Sequence, residues 1–93
     1  MTYDWDEKKN VSNRNTHGLD FADAQHVFDG LVLTTEDKRQ DYGEQRFNSL
    51  GLLEGRVVHI THTPRGENVT RIISMRKATK HEEKIYFKAI YGE

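Results

Sequence analysis

Arg56-Val57-Val58-His59-Ile60-Thr61-His62-Thr63-Pro64-Arg65-Gly66-Glu67-Asn68-Val69-Thr70-Arg71-Ile72-Ile73-Ser74-Met75 decides the fold. Two runs dense in β-branched residues flank Pro64–Asn68, where proline, glycine and asparagine supply turn geometry. That is a hairpin. Immediately upstream, Glu54-Gly55 marks a second tight turn. Before it, Arg46–Leu52 reads as a weaker strand, interrupted by Gly51. Leu31–Thr35 is a short strand, joined to it by the polar connection Glu36–Gly43. Three such connections in a row predict a four-stranded antiparallel meander.

The flanks read as helices. Thr79-Lys80-His81-Glu82 is a capping box, and Ile85/Ala89 and Tyr86/Ile90 give i, i+4 contacts on the helix it opens. At the other end, Asp4-Trp5-Asp6-Glu7 has the form of a helix start. Trp5 and Val11 are that helix's few apolar residues, so it is expected on the surface, ending near Asn15 ahead of Gly18. Asp20 caps a shorter helix with Phe21, Ala24, Val27 and Phe28 on one face, closed by Gly30. The predicted class is α+β: a four-stranded antiparallel sheet with two N-terminal helices and one C-terminal helix, packed on one sheet face with the other partly open. Residues 1–93 read as one domain.

Composition narrows the function classes. Apolar residues make up 34% of the chain and charged residues 31%, a lean core that fits either completion by a bound partner or plain marginal stability. There is no cysteine, which removes disulfides, thiolate metal sites and cysteine nucleophiles together. Met1–Trp5 is polar and acidic, unlike a signal peptide, and no apolar run suits a membrane helix. A cytoplasmic location is expected. The net charge of −1 hides an asymmetry: residues 1–55 carry six basic against eleven acidic side chains, and residues 56–93 eight against four. Either this is chance clustering on a solvated surface, or the second half is suited to a polyanion and the first to a basic partner.

No phosphate-cradling glycine loop, dinucleotide fingerprint, nucleophile elbow or kinase signature is present, and no cofactor is expected. His59 and His62 lie three apart on a strand, so they point to opposite faces, and no carboxylate accompanies them at ligand spacing. His17 sits at a helix end, where a cation also suits the dipole. No metal site is expected. What the chain offers is a basic cluster: Arg65, Arg71, Arg76, Lys77 and Lys80. Arginine forks suit a phosphodiester and its transition state, whereas solvated edge charge guarding a sheet would look the same in sequence. Metal-free RNA cleavage also needs proton carriers, for which His17, His62 and Glu44 are candidates.

Taken in order, several motifs resemble one family. Trp5-Asp6-x-x-Lys9-x-x-x-Asn13-x-x-x-His17-Gly18-x-x-Phe21-x-x-Ala24 resembles the opening signature of the BrnT toxins. Asp41-Tyr42-Gly43-Glu44-x-Arg46 is similar to their central motif. Gly55-Arg56-Val57, Arg65-Gly66 and Arg71-Ile72-Ile73-Ser74-x-Arg76-Lys77-Ala78-x-x-x-Glu82-x-x-x-Tyr86 resemble the remainder. Thr16 departs from the family's usual lysine, removing a positive charge near His17. His62 stands where an aromatic is common and Met75 where alanine is; both read as packing changes.

The resemblance implies a RelE-like ribonuclease fold and a type II toxin that cleaves RNA and inhibits translation. It also implies neutralisation by a BrnA-like ribbon-helix-helix antitoxin, through which alone DNA is engaged as the complex represses its promoter. On the residues themselves, Arg65, Arg76 and Lys77 are expected to hold the scissile phosphate. Glu44 and His17 are expected as proton carriers, Arg46, Arg71 and Lys80 as further RNA contacts, and cleavage is expected to be metal-independent. The competing reading is a non-catalytic protein-binding module of the same fold.

Overall fold

The structure is a computed structural model that describes residues 1–92. Strand β1 (Thr2–Trp5) opens the chain, followed by helix α1 (Glu7–His17), a 3-10 turn over Phe21–Asp23 and the short helix α2 (Ala24–Phe28). Strands β2 (Leu33–Glu36), β3 (Phe47–Leu53), β4 (Arg56–Pro64) and β5 (Val69–Lys77) follow, and helix α3 (Lys80–Tyr91) closes it. The four predicted strands form an antiparallel meander.

The sheet nevertheless has five strands, in the order β1-β5-β4-β3-β2, and it is mixed. The expected four-stranded antiparallel sheet is corrected by β1, which pairs parallel with β5 through Thr2–Val69 to Trp5–Ile72. The helix therefore starts later than Asp4. Asp6 is its true cap, accepting from the backbone N–H of Lys8 at 2.9 Å. Trp5 belongs to the strand, packing edge-on against Phe21.

The helices also divide between the two faces. Val58, Ile60, Ile72 and Met75 meet Phe21, Ala24 and Val27 on one face. Val57, one residue out of step with Val58, points the other way and packs with Leu50 and Tyr86 of α3. The expectation that all helices share one face is thus corrected. The Tyr86 hydroxyl donates to the Leu31 carbonyl at 2.9 Å, fastening α3 over the β2–β3 end of the sheet. The far end of that face stays open.

Helix α1 is anchored by asparagines rather than by apolar side chains. Asn10 Oδ1 accepts from the Phe21 N–H at 2.9 Å. Asn13 Oδ1 accepts from the Met75 N–H at 3.2 Å, and its Nδ2 donates to the Leu19 carbonyl at 3.1 Å. The register between β4 and β5 slips close by, leaving Ile73 without a pairing partner. Gly51 is required for close approach: a Cβ there would lie 2.6 Å from Val27 Cγ1.

Candidate active site on the open sheet face

Alternation along the central strands builds the site. His59 and Thr61 of β4 pair with Arg76 and Ser74 of β5, and Asn48 of β3 pairs with Thr61. These five side chains share the face that α3 leaves uncovered. Glu36 at the end of β2, Asp37, Lys38 and Arg39 from the β2–β3 connection and Glu82 from α3 complete the wall of a polar depression of about 490 Å³.

Charges in the depression are paired. Arg76 donates to both Glu82 oxygens, at 2.8 and 3.0 Å, and to the Lys77 carbonyl at 3.2 Å. The Arg76 hydrogen bonds hold the Glu82 carboxyl down at about 2, and Glu82 in turn raises Arg76. Glu82 does double duty, because its Oε1 also accepts from the Thr79 N–H at the start of α3. The sequence-predicted capping box is therefore also the clamp on Arg76. On the opposite wall, Asp37 is buried and accepts from Arg39 at 2.7 and 2.8 Å and from the Tyr42 hydroxyl at 3.1 Å. Those bonds, Arg39's foremost, hold its carboxyl far below the usual carboxylate range.

His59 lines the same depression and is half-buried. Burial, reinforced by Arg76, pushes its ring below the usual histidine value, although Glu82 opposes this. Its Nδ1 is shut off from solvent without a hydrogen-bond partner among the described residues.

A second, shallower depression adjoins the first, sharing Glu36, Asp37 and Lys38 and extending to Tyr42 and Glu44. Glu44 lies 3.2 Å from Arg46 and 3.4 Å from Arg65, and the Arg46 guanidinium sits 4.2 Å from the Tyr42 ring centre. Three sequence-predicted residues, Glu44, Arg46 and Arg65, therefore form one cluster beside Arg76's depression.

The others lie elsewhere. Lys77 stands with Arg56 beyond the α3 start, and the exposed Lys80 is 4.0 Å from Glu83. Arg71 pairs with Asp4 at 3.5 Å, on the β1 side. His17 is at the end of α1, beside Lys9, Thr16 and Ile73. His62 faces the helices, between Phe28 and Phe47, with its Nε2 2.7 Å from Ser49 Oγ. Burial there pushes its pKa down to about 4, which keeps the ring neutral. His59 and His62 thus point to opposite faces, as their spacing predicts. The sequence reading missed Asp37, Arg39, Asn48, His59, Thr61, Ser74 and Glu82 as wall residues. Carrying the two-residue period across the β3–β4 hairpin would have gathered Asn48, His59 and Thr61, but the register slip at Ile73 hides Ser74 and Arg76 from the same count. Among the described residues, no three His, Asp or Glu side chains are grouped as metal ligands, and no helix is long and apolar enough to cross a membrane.

These features define a small α+β protein with an arginine-centred, charge-paired depression on one sheet face. A family model described as "Ribonuclease toxin, BrnT, of type II toxin-antitoxin system" matches residues 5–82, and the chain belongs to that family. Among solved structures, it is similar to the crystal structure of the Brucella abortus ribonuclease toxin BrnT. The identity is 30% and the TM-score 0.64, with 86% of this chain and 100% of that one covered. No curated protein matches the chain.

Proposed function

We propose that this chain cleaves RNA on its open sheet face, without a metal, and thereby inhibits translation until a ribbon-helix-helix antitoxin of the BrnA type covers it. The observation that carries the reading is Arg76, fixed in the middle of a polar depression in a chain of the BrnT family. A guanidinium has five N–H donors. The bonds to Glu82 and Lys77 engage three of Arg76's, which leaves two for phosphate oxygens. Clamping by Glu82 fixes the fork before substrate arrives, so less reorganisation accompanies charge development on the phosphoryl group.

Lys38 and Arg39 supply further positive charge to the same wall. The Glu44–Arg46–Arg65 cluster beside it holds the flanking strand, with Arg65 the more exposed of its arginines. Glu44 is already shared by two arginines, and His17 lies apart from the depression, so neither is assigned the proton transfer. Metal independence is favoured by the donor set itself, since Asp37 and Glu82 are both occupied by arginines rather than free to ligate. DNA is engaged only through the antitoxin.

Expression in cells tests the proposal. The chain alone should arrest growth and protein synthesis, co-expression of a BrnA-type ribbon-helix-helix antitoxin should relieve the arrest, and a folded Arg76→Ala chain should be harmless. Normal growth with the chain expressed alone would favour the non-catalytic binding module.

A further inference from the structure

We propose that His59 is the general base that takes the proton from the attacking 2′-hydroxyl. The inference rests on the ribonuclease reading above and gives the reacting atom an address within the depression.

Three observations place His59 there. It is the cross-strand neighbour of Arg76, so its ring stands beside the guanidinium that would hold the phosphate. It lines the depression, whereas His62, the other strand histidine, is packed among aromatic rings on the opposite face. Its two ring nitrogens are also unlike. Nδ1 is closed off from solvent and unpartnered among the described residues. Nε2 is therefore assigned as the accepting nitrogen, which requires the neutral ring to carry its own proton on Nδ1.

Charged groups face the ring from every side. Arg76 comes from β5, Glu82 from α3, Glu36 from the end of β2, and Arg39, Lys38 and Asp37 from the β2–β3 connection. Arg76 and Arg39 disfavour an imidazolium and Glu82 favours one. Burial and the arginines prevail, so the ring is neutral at physiological pH and ready to accept a proton. The nearby carboxylate then tempers the charge that forms.

The step balances without a further reactant. Nε2 takes the 2′-hydroxyl proton as the 2′-oxygen lone pair forms a bond to phosphorus. The bond from phosphorus to the 5′-oxygen breaks, and its electron pair stays on that oxygen, which takes a proton from water. The resulting hydroxide is neutralised as the imidazolium returns its proton to solvent. The products are a 2′,3′-cyclic phosphate and a 5′-hydroxyl end.

The test follows single-turnover cleavage of a defined RNA across pH by the wild type, His59→Gln and His59→Ala, each first shown by melting to be folded. Wild-type rate should rise with pH along one acidic limb, centred below the usual histidine value, and then level off. His59→Gln should lose about 10²- to 10⁴-fold and lose that limb. Added imidazole should partly restore His59→Ala in proportion to its free-base fraction, a response that a packing role would not give. Equal rates with the limb intact in both variants would overturn the inference and leave the ribonuclease reading standing. A wild type that cleaves nothing would overturn both. If neither variant folds, NMR titration of the wild-type ring decides: a C–H titration matching the limb supports the assignment, and a mismatch overturns it.

Discussion

Glu82→Gln isolates the clamp between α3 and the sheet. Glutamine keeps the side-chain length and can still accept from the Thr79 N–H, so the cap survives and the charge is lost. A carboxyl held at about 2 instead of the ordinary 4.5 contributes at most about 3 kcal/mol by linkage. The Arg76 side chain is 36% exposed and Glu82 22%, so solvent screening reduces the net effect. About 1–2 kcal/mol is expected at neutral pH. For a domain of this size that lowers Tm by roughly 4–8 °C per kcal/mol. The pH dependence has a definite sign. Because the folded-state carboxyl is depressed, its contribution is full above pH 4.5 and is lost as pH falls toward about 2. Thermal melts of wild type and Glu82→Gln should differ clearly at pH 7 and converge near pH 2. Equal Tm values at pH 7, or a gap that persists unchanged at pH 2, would refute the clamp.

Three further outcomes follow from the packing. Gly51→Ala places a methyl 2.6 Å from Val27 Cγ1 and 3.0 Å from Val32 Cγ1, and should cost about 1–3 kcal/mol in urea unfolding. Asn10→Ala strips the buried Phe21 N–H of its acceptor and should cost about 1–3 kcal/mol, whereas an exposed alanine substitution such as Ser12→Ala should cost little. His62, held at about 4 by burial, binds protons more weakly folded than unfolded, so stability should fall as pH drops from 6.5 toward 4. A His62→Gln chain that is folded should lack that part of the slope.

The meander was legible because its determinants are local. Gly55 and the Pro64–Asn68 turn sit between runs of β-branched residues, and β3, β4 and β5 fall close to their predicted places. Strand β1 was not legible. Its partner β5 begins at Val69, far away in sequence, and no local pattern announces a parallel pairing at that separation. Asp4-Trp5-Asp6-Glu7 reads as a helix start at Asp4, and the cap passes to Asp6 because Asp4 and Trp5 are taken into the pairing of β1 with β5. The asparagine contacts of α1 were hidden for a similar reason: a polar helix reads as a surface helix until its partners are known. The site was half legible. Arg76, Glu44, Arg46 and Arg65 drew attention as charges, but a search for a cluster along the chain also collected Lys77, Lys80 and Arg71. Cross-strand neighbours such as His59 and Asn48 became visible once the register was fixed.

The family and the solved relative give the class of protein, while the claim particular to this chain is that its open sheet face cleaves RNA around Arg76. The most direct measurement is cleavage of one end-labelled RNA by the purified chain in the presence of EDTA, comparing wild type, Arg76→Ala and Arg71→Ala, all checked for folding. Arg71 is on the β1 side and pairs with Asp4, so it serves as the distant arginine. Wild type should cut with chelator present, Arg76→Ala should be slower by about 10²- to 10³-fold, and Arg71→Ala should lose far less, with a deficit that fades as salt is raised. Wild-type rates for folded Arg76→Ala, or cleavage abolished by EDTA, would contradict the account.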